Sequence, residues 1–357
     1  MKLNDCVVIG IDLGGSAIRL STVAGNGKLR YSKRVDISGR REKKYIIASI
    51  ITNIKELIAI EKSRGCQVIA IGIGSPGIID LNRGVVITSP NFKDWKDVRL
   101  RTILQKALHL PVVLDNDANA AAYGEKWKGA GRRVNSLVCL TMGTGIGGGI
   151  ILNGEVWHGV DGMAGEIGHM TVNPAGPRCN CGNTGCLEAY SSATGMVKSA
   201  IVSLKRGKRS ILKKLTNEVN GTITAMMIYE AALQGDRLST DILAEAGKYL
   251  GIAMANLINI LNPEMIVLTG AVTGAWDFFM PTARQEVNKR AFNVLAERTK
   301  IVRGKLIDSA GIVGAAGLAM KNPAASCRVS EQFQCHSCVS RNPDHSRELD
   351  SHFRGND

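Results

Sequence analysis

The chain has 357 residues, 45% apolar and 21% charged, which is the composition of a globular protein long enough to bury two cores. Its apolar runs are broken by glycine before they reach a membrane span, and the N-terminal MKLNDCVVIGID carries no signal-peptide pattern. The expectation is therefore a cytoplasmic protein with reduced thiols, neither membrane-bound nor stapled by disulfides. The net charge of +14 is concentrated in two stretches, Lys28 to Lys44 and Lys198 to Lys214, the second with seven Lys or Arg and no acid. Such charge can steer polyanions, but no aromatic residues interleave the second stretch as single-strand binding requires. A solvated surface is expected there, with no nucleic-acid partner.

In chain order, Cys6 to Ile11 reads as a strand that ends in Asp12-Leu13-Gly14-Gly15-Ser16, and Ile18 to Val23 resumes the alternation. The pattern is strand, glycine turn, strand, in which the backbone can approach a phosphate and Asp12 can orient a hydrated Mg²⁺. A strand follows at Tyr31 to Asp36, a helix at Lys44 to Arg64, and a buried strand at Val68 to Ile73 that leads into the loop Gly74-Ser75-Pro76-Gly77. Asn91-Phe92 reads as loop, Arg99 to His109 as helix, and Val112 to Leu114 as a short strand that delivers Asp115-Asn116-Asp117 to the start of a helix over Ala118 to Lys128. Polar residues at the carboxyl end of a strand face the ligand crevice of an α/β fold. Taken alone, Asp117 is a helix cap.

The strand Ser136 to Met142 runs into Gly143-Thr144-Gly145-Ile146-Gly147-Gly148-Gly149 and then Ile150 to Leu152. The stretch contains a formal GxGxxG, but its glycines lead into a strand rather than a helix, which excludes a dinucleotide fold. It repeats the turn at Asp12. Helices are expected at Ala193 to Lys205, Ile223 to Gln234 and Thr240 to Leu261, and a buried strand at Met265 to Leu268 ending in Thr269-Gly270-Ala271-Val272. A long helix over Asp277 to Arg298, a strand near Ile301 and a helix over Gly311 to Met320 complete the fold, and residues beyond Asn322 read as a disordered extension. Cys335-His336-x-Cys338 lacks a fourth metal ligand at a fitting distance in sequence.

Glu166 to Glu188 gathers Cys179, Cys181 and Cys186 with His169. Three thiolates and an imidazole make a closed tetrahedral set for structural Zn²⁺, and Gly182 and Gly185 let the chain double back. The alternative is a cluster of buried or disulfide-bonded cysteines, disfavoured because three neighbouring cysteines cannot all pair among themselves.

Glu-x-Gly-His, nine residues, then Cys-x-Cys-Gly-x-x-Gly-Cys-x-Glu resembles the signature of the ROK family of sugar kinases and sugar-responsive repressors. The resemblance extends over Val7 to Met320, through the two glycine turns and the segment DNDANAAAYGE. It implies an α/β actin-like ATPase fold (ribonuclease-H-like) of two domains, with a catalytic cleft between them and a structural zinc knot. Residues 1–117, completed by a helix over 309–321, would form the small domain and 118–308 the large one, with 322–357 as a tail. The implied reaction is transfer of the γ-phosphate of ATP to a hexose hydroxyl, first of all the 6-hydroxyl of glucose. By resemblance Asp117 becomes the general base, and Gly77, Asn91, Asn116, Glu166, His169 and Glu188 join it as sugar contacts. Asp12, Gly14, Gly15, Ser16, Gly143, Thr144, Gly145, Gly270 and Ala271 become nucleotide contacts, with Mg²⁺ as the phosphate counter-ion. A homodimer or a dimer of dimers is implied as well.

The sequence departs from the family pattern at Ser16 and Ala17 in the first turn and at Ala271 in the third. N-acetylmannosamine, N-acetylglucosamine and fructose are rival acceptors, and polyphosphate a rival donor. Among other classes, a repressor would need a helix-turn-helix domain ahead of the first strand at Cys6, where none is expected. A non-catalytic sugar sensor would not need Asp117 or the phosphate turns.

Overall fold

In the computed structural model, which describes residues 6–218 and 221–322, two five-stranded sheets share one strand order. The first is built from β1 (Cys6–Leu13), β2 (Ala17–Ala24), β3 (Leu29–Asp36), β4 (Gln67–Ser75) and β8 (Val112–Asn116), in the order β3-β2-β1-β4-β8. The second is built from β9 (Leu137–Met142), β10 (Ile146–Leu152), β11 (Glu155–Val156), β12 (Met265–Thr269) and β13 (Lys300–Arg303), in the order β11-β10-β9-β12-β13. In each sheet the first three strands form an antiparallel meander and the last two lie parallel to the first. The repeat expected from the two glycine turns is thus a repeat of a whole sheet.

One face of the first sheet is covered by α1 (Lys43–Ser63) and α2 (Leu100–Leu108), where Ile46, Ile50, Ile54, Leu57 and Leu104 meet Ile9, Ile11 and Ile73. The other face takes α11 (Ala310–Met320), through Ile312, Ala316 and Ala319 against Val8 and Ala70. α3 (Asp117–Trp127) runs between the sheets. It packs back to back with α11 and lies against β10. Such close approach needs small residues: a Cβ on Gly72 would lie 1.8 Å from the Ala315 carbonyl oxygen, and one on Gly314 1.6 Å from that of Ala120. The alanine and glycine content of AGIVGAAGLAM and DANAAAYGEKW is therefore a packing requirement.

The second sheet is backed mainly by α8 (Arg237–Leu261) and α9 (Trp276–Arg290), with Leu250, Met254 and Phe279 in the core. α5 (Ala193–Lys205), α6 (Leu212–Glu218) and α7 (Ala225–Leu233) complete that half. α4 (Glu188–Ser191) follows the cysteine cluster.

Three expectations fail. The region around Asn91-Phe92 is not only loop: β5 (Ile78–Asp80), β6 (Val85–Ser89) and β7 (Phe92–Val98) form a three-stranded antiparallel sheet, and Phe92 opens β7. In FKDWKDV the buried positions are Phe92, Trp95 and Val98, so the strand lacks the period-2 signal. The long helix over Asp277 to Arg298 is two helices, α9 and α10 (Asn293–Arg298), broken at Ala291-Phe292. Asn259 of α8 holds the break: its amide donates to the Arg290 carbonyl (3.2 Å) and its carbonyl accepts the Phe292 N–H (3.0 Å). The basic stretch Lys198 to Lys214 also holds the start of α6, which was not expected. The extension and its Cys335-His336-x-Cys338 cluster lie outside the described residues. Among the described residues no helix is long and apolar enough to cross a membrane.

Candidate active site and metal centre

β8 lies parallel to β4 and brings Asp115 and Asn116 to the carboxyl edge of the first sheet. The helix cap is Asn116, not Asp117. Its side-chain oxygen accepts the N–H groups of Ala118 (2.8 Å) and Asn119 (3.3 Å), and its amide donates to the Gly77 carbonyl (3.3 Å). Asp117 is therefore the first helical residue, and one of its carboxylate oxygens accepts the Ala118 N–H at 2.9 Å. Burial pushes its pKa from 3.8 to about 7; the charges of Asp12 and Glu166 add to the rise, and the Ala118 N–H opposes it.

Asp12 lies one residue before the end of β1, where burial raises its pKa against the pull of Arg19 on β2, with which it forms an ion pair. Arg19 also donates to the Asp308 carbonyl at 3.0 Å. The turn that follows is closed by the Gly14 N–H on the Ala17 carbonyl, at 3.0 Å. Asn91, between β6 and β7, lies against Gly15, since its Cγ would be 3.0 Å from a Cβ placed there. The second turn is closed by the Gly143 N–H on the Gly145 carbonyl (3.0 Å) and anchored by the Thr194 hydroxyl on the Thr144 carbonyl (2.8 Å). Gly270 stands beside it at the end of β12, with φ +93° and the Met142 carbonyl oxygen 2.5 Å from where a Cβ would be. Ala271 begins a short 3₁₀ turn through Ala275.

The ligand atoms of His169, Cys179, Cys181 and Cys186 all lie within 4.8 Å of one another. Cys179 Sγ is 3.8 Å from His169 Nδ1, and the sulfurs of Cys181 and Cys186 are 3.7 Å apart. These separations match the ~3.8 Å edge of a tetrahedron whose centre is ~2.3 Å from each sulfur. Burial raises the thiol pKa of Cys179 and pushes that of Cys186 up to about 12, while a hydrogen bond from the Asn183 backbone draws Cys181 down. Two buried thiols of that kind become thiolates when a cation lies between them. The donor set fits a structural zinc ion. Among the described residues none of the six cysteines is in a disulfide. Glu188 links this cluster to the second glycine turn: one carboxylate oxygen accepts the Ile146 N–H at 2.9 Å and the other lies 3.9 Å from Cys179 Sγ.

Asp117, Asn116 and Gly77 thus meet at one edge, with Asp12 and Glu166 close enough to act on Asp117 electrostatically. Asn91 adjoins the first glycine turn, and Glu188 joins the Cys/His cluster to the second. Sequence reasoning overlooked Arg19, the partner of Asp12. It also overlooked His158, whose Nε2 is 2.8 Å from a carboxylate oxygen of buried Asp115. Neither pairing is signalled by spacing in the chain.

Two sheets of identical order, each with a glycine turn at its first hairpin, and α3 between them, define the actin-like ATPase fold. The chain belongs to the ROK family, whose model matches residues 8–322. It is 36% identical over 313 residues to a glucokinase of Halalkalibacterium halodurans (87% of this chain, 94% of the relative). It is 33% identical over 319 residues to a putative xylose repressor of a Caldicellulosiruptor species (89% and 79%). Among solved structures, a ROK family glucokinase from Streptomyces griseus in complex with glucose and AMPPNP matches with a TM-score of 0.75 and 31% identity (88% of this chain, all of the other). A ROK family transcriptional regulator homologous to the E. coli MLC protein matches with 0.82 and 29% (92% and 81%). The family therefore includes both kinases and regulators close to this chain.

Proposed function

We propose that the protein is an ATP-dependent hexose kinase, with the 6-hydroxyl of glucose as its first candidate acceptor and Asp117 as general base. The observation that carries this reading is the placement of Asp117, which opens α3 directly after β8 beside Asn116 and Gly77, where burial also lifts its pKa to about 7. A base poised near neutral pH can take the hydroxyl proton as the sugar oxygen bonds to the γ-phosphorus and ADP departs. A sensor has no use for such a base. Kinship with the glucose- and AMPPNP-bound glucokinase supports the same assignment.

In this scheme Gly77, Asn91, Asn116, Glu166, His169 and Glu188 orient the sugar, and Asn116 is well suited because its cap bonds fix its rotamer. The turns at Gly14-Gly15-Ser16 and Gly143-Thr144-Gly145, with Gly270 and Ala271, would receive the nucleotide, and Asp12 would hold hydrated Mg²⁺, which would neutralise phosphate charge. His169, Cys179, Cys181 and Cys186 would hold zinc. Four protein ligands close a tetrahedral ion, which then supplies rigidity. With Nδ1 turned to the thiols, the other nitrogen of His169 is left to donate to a sugar hydroxyl. The two domains, 1–117 with 309–321 and 118–308, would close over both substrates and exclude water. Asp117→Asn tests the base: calorimetry should show sugar affinity within a few-fold of wild type while kcat drops by about 10²–10⁴. Retained turnover would remove Asp117 from that role.

The second reading is a sugar-responsive regulator, favoured by the TM-score of 0.82 to a transcriptional regulator. It predicts sugar binding without turnover.

A further inference from the structure

The stretch between β11 and Glu166 follows directly on the second sheet, yet it makes contacts with the first sheet's β8 and with β5. His158 Nε2 lies 2.8 Å from Asp115 Oδ2, at the end of β8. Asp115 is buried, and its other oxygen accepts the Asn116 N–H (2.7 Å) and the Asn119 side-chain amide (3.1 Å), so its carboxylate has one orientation. The loop is closed on itself by the Ala164 N–H on the His158 carbonyl, at 3.1 Å. It also rests on β5, since a Cβ on Gly162 would lie 3.1 Å from the Ile79 carbonyl oxygen and from Leu81. Within it, Gly165 faces Asn119, whose side-chain oxygen is buried and has no hydrogen-bond partner. Glu166 and His169 follow directly.

The loop therefore spans from the strand end that precedes Asp117 to the residues assigned to the sugar. Asp115 is two residues from Asp117, and Glu166 is close enough to raise the Asp117 pKa. We propose that His158 is a positioning residue: through Asp115 it ties the 157–166 loop to the end of β8 and so sets Glu166 and His169 against Asp117. The inference rests on the kinase reading for its effect on substrate. Burial works against the charged imidazole, but Asp115 more than offsets this and lifts the His158 pKa above its ordinary value. The bond lies in a partly dry site, with the Asp115 side chain only 6% exposed, where a polar contact is worth more than one between solvated groups.

The test compares the full chain with His158→Ala and His158→Gln, since glutamine keeps an N–H donor. Loss of the tether should weaken sugar binding by calorimetry, and raise the sugar KM, by about tenfold. The ATP KM and bound zinc should stay within about twofold, and His158→Gln should recover most of the loss. Combining His158→Ala with Asp115→Asn should weaken sugar binding by far less than the product of the two single effects. Sugar affinity within twofold of wild type in His158→Ala, an equal rise in both KM values, or independent effects at the two positions would overturn the proposal. Hydrogen exchange of the 157–166 amides without sugar separates this from the kinase reading. Faster exchange in His158→Ala but not in His158→Gln supports the tether even if no sugar is turned over, and unchanged exchange refutes it whatever the activity.

Discussion

The pKa of Asp117 makes a measurable demand on the pH dependence of catalysis. With an ordinary value of 3.8 the carboxylate would be fully charged throughout the neutral range; raised to about 7 it titrates there. Only the charged form accepts the sugar proton, so kcat/KM should rise with pH and level off above about pH 8. At about pH 6 only about one molecule in ten is active, and each further unit down removes about another factor of ten. The causes of the shift also fix how variants respond. Burial is the largest and stays in place, but the charges of Asp12 and Glu166 also raise the value. Glu166→Gln should therefore move the acid limb to lower pH even as it weakens sugar binding. The assay is steady-state ADP release with saturating Mg·ATP across about pH 5.5 to 9, with circular dichroism to confirm folding at each pH. A flat profile across that range would refute the reasoning, as would a limb that persists unchanged in the residual activity of Asp117→Asn. A stability consequence follows with the opposite sign. A carboxyl whose folded pKa is raised opposes folding progressively as pH climbs from 3.8 towards 7, so Asp117→Asn should melt higher than wild type at about pH 8.

Two further perturbations test other parts of the structure. The purified protein should carry one zinc ion per chain by elemental analysis, and Cys181→Ser should lose the metal and, through His169, raise the sugar KM while lowering Tm. Glu125, buried in α3, accepts backbone N–H groups from Ala130 (2.7 Å), Lys305 (3.1 Å) and Leu306 (2.8 Å), which tie the chain before α11 to the central helix. Glu125→Ala leaves three donors without this acceptor and should destabilise by about 3 kcal/mol or more in denaturant unfolding, whereas Glu125→Gln should retain part of that.

The parts of the fold that were readable in the sequence are those with a local signal. The glycine turns are flanked by alternating strands, and the candidate metal ligands Cys179, Cys181 and Cys186 lie within eight residues of one another. What was missed depends on partners distant in the chain. β7 is a strand because it pairs with β6 and buries every third residue; the break after α9 exists because Asn259 reaches it. The cap at β8 was assigned one residue late, since Asn116 and Asp117 are both good capping types and only the side-chain bonds distinguish them. His158 and Asp115 are 43 residues apart, and no periodicity joins them. The candidate site residues were thus marked by local motifs, and the contacts that hold them in place mostly were not.

The central claim is that the chain transfers phosphate to a sugar. The most direct test is coupled ADP release with Mg·ATP against glucose, fructose, mannose, N-acetylglucosamine and N-acetylmannosamine, with a no-sugar control and zinc-replete protein. The account predicts sugar-dependent turnover, strongest with glucose and abolished in Asp117→Asn. Sugar binding by calorimetry with no ADP release above the control would contradict it and establish the regulator reading.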